Sequence, residues 1–328
     1  MSEVMSLPMV CSRAGFPSRV TVYEVGPRDG LQNEAAIVPA AIKVEFIRRL
    51  LSSGLQTVEL TSFVPRAWVP QLGDAEEVMA ALGTDATAAG RPVLVPNERG
   101  MDRALAAGAR SVAIFASATE SFARRNLNRS VAESMAMFTP VVQRAQEANV
   151  GVRGYVSMCF GDPWEGPVPT AQVAGVCEQL LELGCDQVSL GDTIGVGTTG
   201  HVERLLDQLG GRGIGPERLA VHFHDTYGQA LSNTLVALGA GVSTVDAAAG
   251  GLGGCPYARS ATGNLATEDL VWALSGLGIE HGVDLTALVQ TSVWMSSHLG
   301  RPSPSAVVRA LATGEQPSVA TGAPPSGS

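Results

Sequence analysis

Two histidines stand on alternate positions of VHFHDTYGQ, residues 221–229, as His222 and His224, in a chain that has only five histidines. Side chains two apart on a strand point to the same face. Two imidazoles on one face, with oxygen donors nearby, suit a divalent ion with open positions, such as magnesium, manganese, zinc or cobalt. The plainer alternative is a pair of core histidines held by hydrogen bonds. The oxygen donor on offer is Asp29 in GPRDGLQNE, residues 26–34, where Arg28 precedes it. Glu59 stands inside the apolar run TVELTSF, residues 57–63. An acid there needs a partner or a role, and Arg28 is the natural partner. Asp192 closes QVSLGD, residues 187–192, and GGLGGCPYARSATGN, residues 250–264, carries Cys255 and Asn264. Cys255 reads either as a small packed residue or as a thiol between mobile glycines. Asp225, next to His224, is expected to orient a histidine.

These residues share a place in the pattern of elements. Eight short apolar runs recur, at 20–26, 57–63, 92–96, 111–117, 152–158, 187–192, 219–225 and 244–250. Most are separated by segments with apolar residues three and four apart, such as AAIKVEFIRRLLSSG, which stops at Gly54. Pro140 predicts a kink or break in VAESMAMFTPVVQRAQEAN. Strands alternating with helices imply parallel pairing. Eight such units in about 250 residues predict an α/β fold, a (β/α)8 TIM barrel with extra C-terminal helices, over a doubly wound sheet. The expected layout is an N-terminal extension over 1–18, the barrel and its C-terminal helices over 19–312, and a disordered tail over 313–328, which is rich in Gly, Pro and Ser. In such a barrel function collects at the C-terminal ends of the strands. Every residue singled out above lies at or near one.

Composition narrows the partners. The chain has 328 residues, 45 % of them apolar, and a formal net charge of −9. That balance argues against a nucleic-acid or membrane-surface footprint. No apolar run approaches the roughly 18 residues of a membrane span, and the N-terminus shows no basic-then-apolar signal pattern. The five cysteines form no CxxC pair, which fits reduced thiols in a cytoplasmic protein.

The segments VGPRDGLQNE, VELTSFVPRAWVPQLGD, VSLGDTIGVGT, VHFHDTYGQALSNTL and GGLGGCPYARSATGNLATEDLV together resemble the 3-hydroxy-3-methylglutaryl-CoA lyase family, from about residue 20 to 300. The GGCPYA and TGN elements are the most specific. The resemblance implies Asp29, His222, His224 and Asn264 as ligands of a magnesium or manganese ion. It also implies Arg28 facing the thioester carbonyl and Cys255 on a mobile loop acting in proton transfer. Asp29 or His222 would take the substrate's hydroxyl proton, with Glu59 and Asp192 supporting the site by hydrogen bonds. Gln32, Phe63, Asn126, Thr193 and Arg125 are expected contacts to an acyl-CoA substrate, and a homodimer is the implied assembly. There are departures. Ala35 stands where the family commonly has lysine. In SMCFGDPWEG, residues 157–166, Asp162 replaces a cysteine and Trp164 a tyrosine. This loop follows the fifth strand and is expected to line the acyl pocket. A related lyase acting on citramalyl-CoA or a longer branched acyl-CoA is therefore an alternative. A Claisen-type condensing synthase is a more distant one.

Overall fold

The computed structural model describes residues 8–254 and 263–312. Cys255 and the tail from 313 lie outside the described residues. Each predicted run overlaps one strand: β1 Thr21–Glu24, β2 Thr57–Val58, β3 Val93–Leu94, β4 Ser111–Ser117, β5 Gly151–Ser157, β6 Gln187–Asp192, β7 Leu219–Phe223 and β8 Thr244–Ala247. All pairings are parallel, in the order β2-β1-β8-β7-β6-β5-β4-β3. The sheet curls, with helices packed on it. The two ends of the order meet in backbone hydrogen bonds: Leu60 N to Pro92 O at 2.9 Å, Leu94 N to Thr61 O at 3.0 Å and Phe63 N to Leu94 O at 2.8 Å.

The strands at this junction, β2 and β3, shrink to two residues each. Pro92 and Pro96 bracket β3, and neither has an N–H to extend the ladder. The central strands have no such break. They are near-continuous buried runs, as a sheet covered on its outer face requires.

Helices follow the strands as the 3.6-residue periodicity predicts, among them Ala40–Ser52, Thr170–Leu183 and Ala230–Gly239. Pro140 does not split its segment: Val131–Glu147 is one helix. Its start is secured by Ser130 and Glu133, each side chain accepting the other's backbone N–H at 3.0 and 2.7 Å. Buried Phe138 lies on one side of the proline, and buried Val141, Val142 and Ala145 on the other, so packing holds both halves in line. Helices Leu285–Leu299 and Ala306–Leu311 come last among the described residues. No described helix is long and apolar enough to cross a membrane.

The register sets the site. His222 pairs with Asp246 on β8 and with Gly191 on β6, and Asp246 pairs with Tyr23 on β1. Cα partners on parallel strands point their side chains to the same side. His222, Asp246 and Tyr23 thus share one layer inside the curl.

Candidate active site

After β1 the chain makes a π-helical turn, Gly26–Gly30, closed by Gly30 N to Val25 O at 3.1 Å. Gly30 has no substitute: a Cβ there would lie 2.8 Å from that of Leu252. The turn aims Arg28 and Asp29 over the inside of the sheet. The Arg28 guanidinium is nearly buried. Its Nε donates to Glu59 Oε2 at 2.8 Å and its Nη1 to Asp29 Oδ1 at 2.6 Å. The Tyr155 hydroxyl donates to the same Glu59 oxygen at 3.2 Å. The partnership expected of Glu59 and Arg28 is present. Burial still raises the Glu59 carboxyl above its ordinary range, because Arg28 offsets only part of the desolvation.

At the end of β7, His222 Nε2 and His224 Nε2 face each other at 3.3 Å, with Asp29 Oδ2 3.9 Å from His222 Nε2. One donor atom from each of Asp29, His222 and His224 lies within 4.8 Å of the others. Burial alone would raise Asp29. The Arg28 guanidinium and the two imidazoles outweigh it and hold the carboxyl well below the usual range. Burial, then the neighbouring His222, pushes His224 down to about 4. The set thus offers an anionic oxygen beside an imidazole that stays neutral at ordinary pH. Two ring nitrogens facing each other at 3.3 Å want a proton or a cation between them. The residues therefore fit a divalent ion.

Asn264 is bridged to His224 through the backbone, and its Nδ2 donates to Asp29 Oδ2 at 2.9 Å and Leu252 O at 3.0 Å. A backbone carbonyl can only accept, so the atom on Leu252 O is the nitrogen, and the same nitrogen, not Oδ1, faces Asp29. A cavity of about 620 Å³ opens against this cluster. Arg28, Asp29, Gln32, Asn126, Thr193, His222 and His224 line it, as do Ala35 and Gly254, the residue before Cys255.

The HMGL-like family profile matches residues 19–294. The chain belongs to the HMGL-like family. It is 53 % identical over 298 residues to the mitochondrial hydroxymethylglutaryl-CoA lyase of Arabidopsis thaliana, covering 90 % of this chain and 63 % of that protein. The crystal structure of hydroxymethylglutaryl-CoA lyase from Pseudomonas aeruginosa superposes with a TM-score of 0.87 at 44 % identity, over 90 % of this chain and 98 % of that one. An HMG-CoA lyase from Acinetobacter baumannii, solved in complex with coenzyme A and 3-methylmalate, superposes with a TM-score of 0.84 at 36 % identity, over 92 % and 97 %.

Within this HMGL-like site some expected residues sit elsewhere. Phe63 is buried in the core, its ring 5.4 Å beneath the Arg103 guanidinium and its carbonyl accepting from Arg103 Nη1 at 3.0 Å. Phe63 is thus not among the residues that line the cavity, although its neighbour Val64 is. Arg125 stacks on Trp164, 4.2 Å from the ring centroid, and is not among the cavity's lining residues. Asp192 accepts the N–H groups of Val196 and Gly197 at 3.0 and 2.9 Å, so it shapes the loop after β6. Burial raises its carboxyl to about 6.

Asp162 likewise turns into its own loop. It takes a hydrogen bond from the Thr119 hydroxyl at 2.6 Å and from the N–H groups of Trp164 and Glu165 at 2.7 and 2.9 Å. Of residues 157–166 only Ser157 lines the cavity, contrary to expectation.

Asp225 Oδ1 accepts the N–H of Ala230 at the start of the next helix, at 2.9 Å. The carboxylate against His222 is instead that of Asp246, whose Oδ2 lies 3.1 Å from Nδ1. Asp246, Arg153 and Tyr155 had no motif to mark them. Only the register between strands brings them to the site.

Proposed function

We propose that this protein is a carbon–carbon lyase that cleaves 3-hydroxy-3-methylglutaryl-CoA to acetyl-CoA and acetoacetate. The observation that carries the reading is the convergence of Asp29, His222 and His224 beside Arg28 on one cavity wall, in a chain about half identical to a hydroxymethylglutaryl-CoA lyase. The working unit is residues 19–312, read as a closed (β/α)8 barrel with added C-terminal helices.

Asp29, His222 and His224 would hold a divalent ion, magnesium or manganese, with Asn264 Oδ1 as a further oxygen. When bound, the ion polarises the substrate's tertiary hydroxyl and lowers its pKa. Asp29 or His222, beside the ion, would accept that proton. As the bond between C2 and C3 breaks, its electron pair moves to C2 and charge spreads to the thioester oxygen. Arg28 meets that charge. It is held in place by Glu59 and Asp29, so it needs no reorganisation as the charge develops. A donor of this kind is worth about 3 kcal/mol. The enolate carbon then needs a proton, and the Cys255 thiol is the proposed source. Gln32, Asn126 and Thr193 line the cavity where the acyl chain would lie.

Acetyl-CoA release by metal-stripped protein, with and without added magnesium or manganese, tests this reading. Metal-dependent release from 3-hydroxy-3-methylglutaryl-CoA is the expected result. Release only from citramalyl-CoA would keep the chemistry and reassign the substrate. No release from either, with metal bound, would overturn the proposal.

A further inference from the structure

One buried charged pair inside the sheet is not explained by holding the substrate. Arg153 is 5 % and Asp246 1 % exposed, and Arg153 Nη2 donates to Asp246 Oδ1 at 2.6 Å. The other oxygen, Oδ2, takes the Ser189 hydroxyl at 3.1 Å and faces His222 Nδ1 at 3.1 Å. The guanidinium also lies 3.8 Å from the ring centroid of Tyr23, which keeps it from swinging. A buried pair of this kind gives little net stability, because desolvation consumes much of the attraction. Its geometry, however, leaves His222 no choice. A carboxylate only accepts, so the nitrogen facing it must carry the hydrogen. The lone pair is then left on Nε2, the atom turned toward His224 and Asp29.

We propose that Arg153, Asp246 and Ser189 form a clamp that locks His222 in the Nδ1–H tautomer, with Arg153 and Asp246 acting as positioning residues for metal capture. The inference deepens the reading above and rests on His222 binding an ion through Nε2. Arg153 has a specific part. It supplies only donors, and it holds Oδ1, so the partner of His222 is always the second oxygen of the same carboxylate.

The substitution Asp246→Asn exposes this logic. Asparagine has one acceptor oxygen and one donor nitrogen. Arg153 will claim the oxygen, so the NH2 group will face His222 Nδ1. That nitrogen must then accept, the hydrogen moves to Nε2, and the metal-binding lone pair is lost. The same inversion follows when the triad aspartate of a serine protease is changed to asparagine. Replacing Arg153 as well, in Arg153→Met/Asp246→Asn, frees the amide to turn its oxygen back to His222.

The test is the ring nitrogen shifts of His222 in metal-free protein labelled with 15N-histidine, at mildly alkaline pH where free imidazole is neutral. Manganese affinity is measured alongside by competition with a chelator. Expected in the wild type is Nδ1–H. In Asp246→Asn the expected changes are Nε2–H and a loss of about 10- to 100-fold in manganese affinity. The double variant should recover Nδ1–H in part. An Nε2–H wild type would overturn the clamp without any variant being needed, so misfolding of Asp246→Asn cannot shelter it. An unchanged tautomer and affinity in a folded Asp246→Asn would also overturn it. If the wild type shows Nδ1–H but binds no manganese, the tautomer lock stands and the metal role, with the lyase reading built on it, fails.

Discussion

Arg28 holds two carboxylates and, in the proposed reaction, must also meet a third charge. Its contacts to Glu59 and Asp29 fix the guanidinium before substrate arrives. Arg28→Gln should lower kcat/KM about 10²- to 10³-fold, the scale of a lost oxyanion donor, while manganese affinity changes far less. Asp29→Asn removes the anionic donor itself, so steady-state assays and metal titration should both fail together. Cys255→Ser should slow turnover sharply with metal binding intact. A normal rate would end its proton-donor role. At this scale the sequence was legible where chemistry is compressed into a few neighbouring residues. His222 and His224 share a face because they are two apart, and Arg28 and Asp29 share one turn. Asp225 misled because it adjoins His224 in the chain but turns to Ala230. Asp246 lies 24 residues beyond His222, and Arg153 93 residues before Asp246; no local pattern joins them.

At the scale of elements, alternation of apolar strands with periodic helices was enough to place eight parallel strands. The length of β3 was not readable from apolar content, because the missing N–H groups of Pro92 and Pro96 limit it. The loop after β5 teaches the same lesson about function. Its departures from the family pattern suggested an altered pocket, yet Asp162 spends its oxygens on Thr119, Trp164 and Glu165. Asp162→Ala should therefore cost stability, about 1–3 kcal/mol for stranded buried partners, read from urea unfolding. Substrate preference and manganese affinity should stay near wild type.

For the whole molecule, two acids outside the proposed chemistry contribute to the response to pH in one direction. Glu24 accepts from Gly26 N, Ala249 N and the Thr267 hydroxyl, and burial raises it to about 7. Glu268 accepts from Gly250 N and the Ser292 hydroxyl, and burial raises it to about 8. Both bind protons more tightly folded than unfolded, where an ordinary glutamate titrates near pH ~4.3. Their contribution is complete below that value and is lost as pH rises through 7 and 8. The urea midpoint should fall across that range, and Glu268→Gln should flatten the decline. A midpoint that climbs through it would contradict the assignment.

The donors of the proposed ion come from opposite ends of the chain. Asp29 follows the first strand, while His222 lies on β7, His224 just after it and Asn264 after β8, 235 residues separating Asp29 from Asn264. During synthesis Asp29 emerges early and stands alone until β7 and β8 have been made. Only when β8 lies between β1 and β7 do the three donors face one point. A truncated product lacking either end offers an ion one carboxylate or two imidazoles, never the set. On the proposed reading, metal capture would require both segments of the chain, and a product lacking either would not assemble the site.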